Sequence, residues 1–271
     1  RRMGTNVKCP YAKGMRLILL ALAFSALIRA APVYVDQTAA GGLGCGAEDQ
    51  PCQSISEGLA AATESGVDPL TGAYTLLIAP GRYDGEDNTN IEIDATQLPL
   101  IVTGLGTLYD IIIDCQTLTQ AFVIIGGNAR PVVEFNDITF NACSDLDTHE
   151  DDLLTTNAGA IFARNVSMSF TGCSFLDCSS ETRGGAVSTL YSDLTISNCT
   201  FDSNGAMSNG GALWVSQTQL SVSDSIFDSN TANQGGAIFL LVPTGTPSIQ
   251  DSVFDSNTGA FTGGAVYISG S

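Results

Sequence analysis

The sequence predicts an all-β chain wound as a solenoid of parallel strands, with one short helix at its N-terminal end. Three observations predict it. Phe-Asp-Ser-Asn occurs at Phe201, Phe227 and Phe254, each copy followed within ten residues by Gly-Gly-Ala and an aliphatic residue. A fourth unit runs from Phe175 to Gly184-Gly185-Ala186-Val187, and a degenerate fifth has Phe140 and Ala158-Gly159-Ala160-Ile161. The four regular phenylalanines stand 26, 26 and 27 residues apart, a period at which each unit buries its apolar face only by stacking on the next. Composition agrees: 14% of the 271 residues are charged and 29 are glycine, which suits short strands and tight turns.

Taken in order, residues 1–31 begin with a basic stretch and contain Met15-Arg16 followed by LILLALAFSALI, residues 17–28. A positive start, a short apolar run and small residues at Ala30-Ala31 describe a secretory signal peptide. The run is shorter than the roughly 20 residues of a membrane span. Met15 is the expected initiator, which leaves residues 1–14 upstream of it. Next come VYVD and the Gly-rich AAGGLGCGAEDQPC. Ser54 and Glu57 then form a capping box that opens a helix through about Ser65, with Ile55, Leu59 and Ala62 on one face. Strands are expected at residues 74–79, 91–93, 100–102, 111–113, 122–125 and 132–135, separated by turn residues. One helix followed only by strands suggests that the helix plugs the open end of the solenoid, where a rung would otherwise be unpaired.

In the regular units the apolar pairs Met168 and Phe170, Leu194 and Ile196, and Leu220 and Val222 precede each Phe by seven and five positions. Two positions before it stand Cys173, Cys199, Ser225 and Ser252. Apolar parity therefore shifts between the fifth and second positions, as it does where two strands meet at a bend. The Phe side chains are expected to stack inside. Asn204, Asn230 and Asn257 can form an amide ladder. The paired glycines suit a positive-φ turn packed tightly on the next rung.

The F-x-x-N and G-G-A-[ILV] pair resembles the repeat of the polymorphic outer membrane protein family, over residues 136–271. Residues 32–135, with VYVD, the PC-x-SI entry to the helix and IAPGRY, resemble the start of a pectin-lyase-like right-handed β-helix. The resemblance implies a right-handed parallel β-helix, secretion, and a role in adhesion or surface structure. Two departures stand out: Ala158-Gly159 replaces Gly-Gly, and Cys143 and Cys178 replace Asn. Gly270-Ser271 falls in mid-rung, so the sequence reads as the N-terminal part of a longer protein.

Charge narrows the partners. The net charge is −18, and beyond residue 31 only Arg82, Arg130, Arg164 and Arg183 oppose all 28 acids. Such a surface repels phosphate backbones and excludes nucleic acid as a partner. Extracellular protein or glycan surfaces are the expected partners, with membrane association only through a region outside this sequence. The location is extracellular or at the cell surface, the outer membrane if the source is bacterial.

Several constellations bear on chemistry. Given export, Cys45 and Cys52 are expected to form a local disulfide. Cys173 and Cys199 share a column on adjacent rungs, as do Cys143 and Cys178. Strands about 4.8 Å apart lie within the roughly 4.4–6.8 Å Cα range of a disulfide; the alternative is buried thiols. Cys115 is then unpaired or competes for Cys143. Zinc is not expected, because no C-x-x-C occurs and His149 is the only histidine. An acidic insertion after Cys143 groups Asp145, Asp147, Glu150, Asp151 and Asp152 as Ca²⁺ candidates, against a solvated loop; no other cofactor is expected. Asp202, Asp228 and Asp255 form an outward column that recruits cations or resists aggregation. Phe162, Trp214, Phe239 and Tyr267 align after Gly-Gly-Ala; outward they would make a ligand strip, inward they are core.

Catalysis is the competing reading. A lyase needs a basic residue beside carboxylates, yet both lysines precede residue 15 and the four arginines lack carboxylate partners in matching columns. Hydrolases need two facing carboxylates, which abundant aspartates leave open. The regular repeat favours a secreted or cell-surface β-helix with an adhesive or structural role through its lateral surface. The alternatives are a polysaccharide-active lyase or hydrolase, and a carbohydrate-binding module.

Overall fold

The computed structural model describes residues 31–67, 72–95, 99–107, 109–145 and 158–270; the expected signal segment lies outside them. The chain winds as a right-handed parallel β-helix. Each regular rung visits four sheets in turn. The first sheet has eight strands, from Val33–Val35 to Ser248–Gln250, and the second has seven, from Gly81–Tyr83 to Val253–Asp255. The third has five, from Ser144–Asp145 to Thr258–Thr262, and the fourth seven, from Ile91–Asp94 to Val266–Ser269. The first, second and fourth sheets run unbroken across residue 135, so the irregular and regular halves of the sequence share one architecture.

One rung shows how sequence makes the coil. Asp193–Ser197 lies in the first sheet, Thr200–Asp202 in the second, Gly205–Ala206 in the third and Leu213–Ser216 in the fourth. Three corners are turned by single residues with positive φ: Asn198 at 53°, Ser203 at 56° and Gln217 at 47°. One left-handed residue between two strands reverses which side chains face inward, and this produces the parity shift read before each Phe. The Asn198 corner holds Asp137, Gly172, Asp224 and Asp251 on other rungs, residue types that tolerate this conformation. The Gln217 corner instead holds Tyr191 and Val242, where a bulky or β-branched residue is strained.

The interior is built from columns. Phe140, Phe175, Phe201, Phe227 and Phe254 stack at centroid spacings of 4.7–4.8 Å, the last four within 3° of parallel. Each such pair adds about 0.5–1.5 kcal/mol beyond simple burial. Beside them runs the amide ladder. Asn204 Nδ2 donates to Phe175 O (3.0 Å) and to Asn230 Oδ1 (3.0 Å). Asn230 Nδ2 repeats this to Phe201 O (3.0 Å) and Asn257 Oδ1 (2.9 Å). A hydroxyl column does the same work at another corner, where Cys199 N–H donates to Ser225 Oγ (3.1 Å) and Ser225 N–H to Ser252 Oγ (3.2 Å).

The two glycines of each pair do different jobs. The first, Gly184, Gly210, Gly235 or Gly263, has φ between 58° and 68°. The second, as at Gly211, stacks so closely that a Cβ would collide with Gly236 O and Thr231 of the next rung. Gly159 keeps this second role, with Gly185 O against it. That explains why the degenerate unit could change its first glycine to Ala158 and not its second.

The helix Ile55–Ser65 lies on the N-terminal end of the core. Ile55, Gly58 and Ala62 are buried, and Gly58 seats directly against Val35 and Leu76. Ser54 Oγ accepts the Glu57 N–H at 3.2 Å. Glu57 reaches back one residue further than a standard capping box, accepting from Gln53 N–H at 2.9 Å.

The cysteines divide differently from their columns. Cys45 and Cys52 are bonded, as are Cys115 and Cys143, with Cα separations of 4.9 and 4.6 Å. Cys173, Cys178 and Cys199 are free and buried, so neither same-column pair is bridged. In-register parallel strands aim equivalent Cβ atoms the same way, and the sulfurs cannot converge. Ile113 pairs with Phe140, which puts Cys115 two positions beyond the Phe column and Cys143 three. That offset lets their sulfurs meet. Burial raises the Cys173 thiol well above its ordinary pKa and pushes Cys178 up to about 12, so both are packing groups at neutral pH.

Candidate functional site

With Phe, Asn and Gly consumed by the interior, chemistry can only come from outward positions, and each sheet presents a different face. On the fourth sheet Phe162, Ser188, Trp214, Phe239 and Tyr267 are register partners. They point away from the solenoid core and form clusters separate from it. Even so, Phe162, Trp214 and Phe239 are only 2%, 3% and 5% exposed, and Tyr267 is half-buried. The Arg183 guanidinium lies 5.1 Å from the Trp214 ring, and burial lowers its pKa. Phe239 stacks on Tyr267 at 5.3 Å. The column is therefore neither core nor a strip of rings offered to a sugar.

On the second sheet Asp202, Asp228 and Asp255 pair in register and face solvent, in a column that Leu176 separates from Asn141 and Asp114. Ser203 and Ser229 hydroxyls donate to the carboxylates of Asp202 (2.8 Å) and Asp228 (3.1 Å). Of the Ca²⁺ candidates, Asp145 ends a strand of the third sheet and is buried. Asp147, Glu150, Asp151 and Asp152 lie outside the described residues. Among the described residues no cluster of three or more His, Cys, Asp or Glu converges on a point.

Two of the four arginines, without carboxylate partners in matching columns as expected, still find carboxylates out of register. Arg130 pairs with Asp193 at 3.4 Å, and Arg82 pairs with the buried Asp114. Asp114 Oδ1 also accepts from Gln116 N–H (3.1 Å) and Asn141 Nδ2 (3.3 Å), while Gln116 Nε2 donates to Asp84 Oδ2 (2.9 Å). Arg82 and Asp84 line a cleft of about 320 Å³ beside the capping helix, with Glu57, Asp87 and Asn88. Arg82 and Asp114 lie on adjacent rungs but two positions out of register, and Arg130 lies two rungs from Asp193, so column spacing could not align either pair.

The first sheet carries a face that the repeat did not flag. Its inward residues are the expected Met168, Phe170, Leu194, Ile196, Leu220 and Val222. Between them the outward positions are Ser169 and Thr171, Thr195 and Ser197, Ser221 and Ser223, then Ser248 and Gln250, stacked in register over four rungs. Two columns of uncharged hydroxyl and amide groups result. Alternation of Ser or Thr with apolar residues in SMSFT, DLTIS and QLSVS was the available signal.

A family model described as "Right handed beta helix region" matches residues 111–271. No curated protein and no solved structure matches the chain.

Proposed function

The chain belongs to the right-handed β-helix family, and on that premise we propose that it is an exported or cell-surface protein that works through its lateral faces, as an adhesin or a structural stalk. The carrying observation is that outward polar columns repeat in register from rung to rung, giving extended surfaces in place of one distinctive pocket. Two disulfides fit an oxidising, extracellular location. The likeness of its F-x-x-N and G-G-A-[ILV] units to the polymorphic outer membrane protein repeat points the same way. Those motif residues build the coil, so partner choice falls to the variable positions between them. Glycan-array and cell-surface binding of the folded protein tests this, with saturable, fold-dependent binding the expected result.

A polysaccharide-active enzyme is the second reading, favoured by one place: a cleft lined by Arg82 and Asp84, with the buried Asp114 paired to Arg82. The guanidinium there is committed to Asp114, which suits a structural ion pair better than a base. Release of unsaturated oligosaccharides from a polysaccharide, abolished in Arg82→Ala, would overturn the adhesive reading.

A further inference from the structure

Among the described residues, the outward face of the first sheet combines repetition and access with little charge. Two of its three outward columns, Ser169, Thr195, Ser221 and Ser248 and then Thr171, Ser197, Ser223 and Gln250, include no carboxylate and no base, while the third, Ser167, Asp193 and Gln219, carries one carboxylate. The neighbouring second sheet, by contrast, lines up Asp202, Asp228 and Asp255. Charge is confined to the margin of the hydroxyl face, at Glu134 one rung away and at the Arg130–Asp193 pair on its flank. Inside the coil, polar side chains are tied into ladders. On this face the links are sparse: Ser223 Oγ to Ser197 Oγ and Gln250 Nε2 to Ser248 Oγ, each at 3.3 Å. The side chains of Ser169, Thr171, Thr195 and Ser221 make no hydrogen bond to other described residues, and Thr171, Thr195 and Ser221 are exposed.

We propose that this face is a docking surface for an uncharged, hydroxyl-rich polysaccharide presented as an extended chain or sheet. The proposal rests on the lateral-surface reading and names the partner of that surface. Charge decides the class. A chain of net charge −18 repels polyanionic glycans, nucleic acids and its own copies, and cationic partners are drawn to the aspartate column. A neutral polyol carries no such preference and finds here the matching chemistry. Each Ser or Thr hydroxyl supplies one donor and two acceptor positions. The grid repeats about every 4.8 Å between rungs and about 7 Å along each strand. A periodic polymer engages several rungs at once, so weak single contacts sum to useful retention. Without exposed rings on the face, hydrogen bonding and not stacking supplies the contact, and retention is insensitive to salt.

Depletion of the protein from solution by microcrystalline cellulose, at low and high salt, tests this. Soluble polygalacturonate serves as the anionic competitor. The double variant Thr195→Glu/Ser221→Glu places two carboxylates in the grid at exposed positions, and Asp228→Asn alters only the adjacent column. Circular dichroism confirms that each variant is folded. The expected result is salt-independent retention of the wild type and of Asp228→Asn, reduced at least about tenfold in the double variant. Equal retention of the double variant, no retention of the wild type, or displacement by polygalacturonate would each overturn the proposal. Binding to other surfaces that is lost in Asp228→Asn or in salt would refute this face while leaving the lateral-surface reading intact. Absence of binding to any glycan or cell surface would remove both.

Discussion

Asn230 is the most informative residue to perturb, because its side chain is fully buried and all its bonds are identified. Its Nδ2 donates to Phe201 O and Asn257 Oδ1. Its Oδ1 accepts from the Asn204 N–H at 3.1 Å and from Asn204 Nδ2 at 3.0 Å. Asn230→Ala deletes four hydrogen bonds and strands partners in an interior with little access to water. At about 1 kcal/mol each the bonds amount to about 4 kcal/mol, and unsatisfied buried partners push the cost upward. Water entering the vacated space offsets part of it. Asn257→Ala provides the internal control: it deletes three bonds, Nδ2 to Phe227 O at 2.8 Å and Oδ1 from the Asn230 N–H at 3.0 Å and Nδ2 at 2.9 Å, at a half-buried position closer to water. Urea unfolding followed by far-ultraviolet circular dichroism and by Trp214 fluorescence gives both values from the midpoint and slope. Two probes are needed because a solenoid can unfold in sections. A loss below about 1 kcal/mol for Asn230→Ala, or one no larger than for Asn257→Ala, would refute the ladder as a stabilising element. Asn230→Cys should fall between them, since Cys178 in the same column bonds only to Leu176 O at 3.4 Å and Phe140 O at 3.8 Å.

The two glycine roles separate by substitution. Gly211→Ala drives a Cβ into the backbone of the next rung and should cost more than about 3 kcal/mol in urea unfolding. Gly245→Ala, with φ 71° and only Gln219 side-chain atoms at 3.8 Å, should cost about 1–2 kcal/mol from backbone strain alone. Tyr83 is buried with its hydroxyl donating to Ala79 O at 2.9 Å, and burial raises its pKa to about 12. The unfolded chain releases this proton near pH 10 while the folded one retains it. The Tyr83 contribution should therefore be flat below about pH 10 and fall by up to about 1.4 kcal/mol per pH unit between pH 10 and 12, added to the decline that the raised Cys178 thiol begins near pH 9. Tyr83→Phe should flatten the Tyr83 part of that decline, as read from urea midpoints against pH. Alkylation under denaturing, non-reducing conditions should label Cys173, Cys178 and Cys199 and spare Cys45, Cys52, Cys115 and Cys143, by peptide mass mapping. Loss of the Cys115–Cys143 bridge, which spans 28 residues, should lower stability by about 3.5 kcal/mol.

The repeat alone determined the fold, because each conserved element of a unit has a local physical job that recurs at the same offset. Phe stacks on its equivalent, Asn bonds the next Asn, and the second Gly admits the next backbone. A one-dimensional stack turns sequence offset directly into spatial neighbourhood, so these columns could be aligned without coordinates. The same logic placed the helix through Ser54 and set Asp202, Asp228 and Asp255 in line.

Whatever depended on direction or on covering across the coil needed the tertiary structure. Spacing aligned Trp214 with Phe239 and could not show that the column faces away from the core and is still buried. Column arithmetic paired Cys173 with Cys199 by distance, while parallel Cβ directions leave them apart and a one-position offset joins Cys115 to Cys143. Arg82 meets Asp114 through rungs whose lengths differ, so no constant period relates them. The hydroxyl face was written in the alternation of SMSFT, DLTIS and QLSVS. Only the left-handed corners, which fix the parity of each strand, decided that Ser and Thr face solvent there while Phe and Asn turn inward. Sequence thus determined which residues stack, because stacking follows the period; the structure decided which side each one faces, because that is set corner by corner in three dimensions.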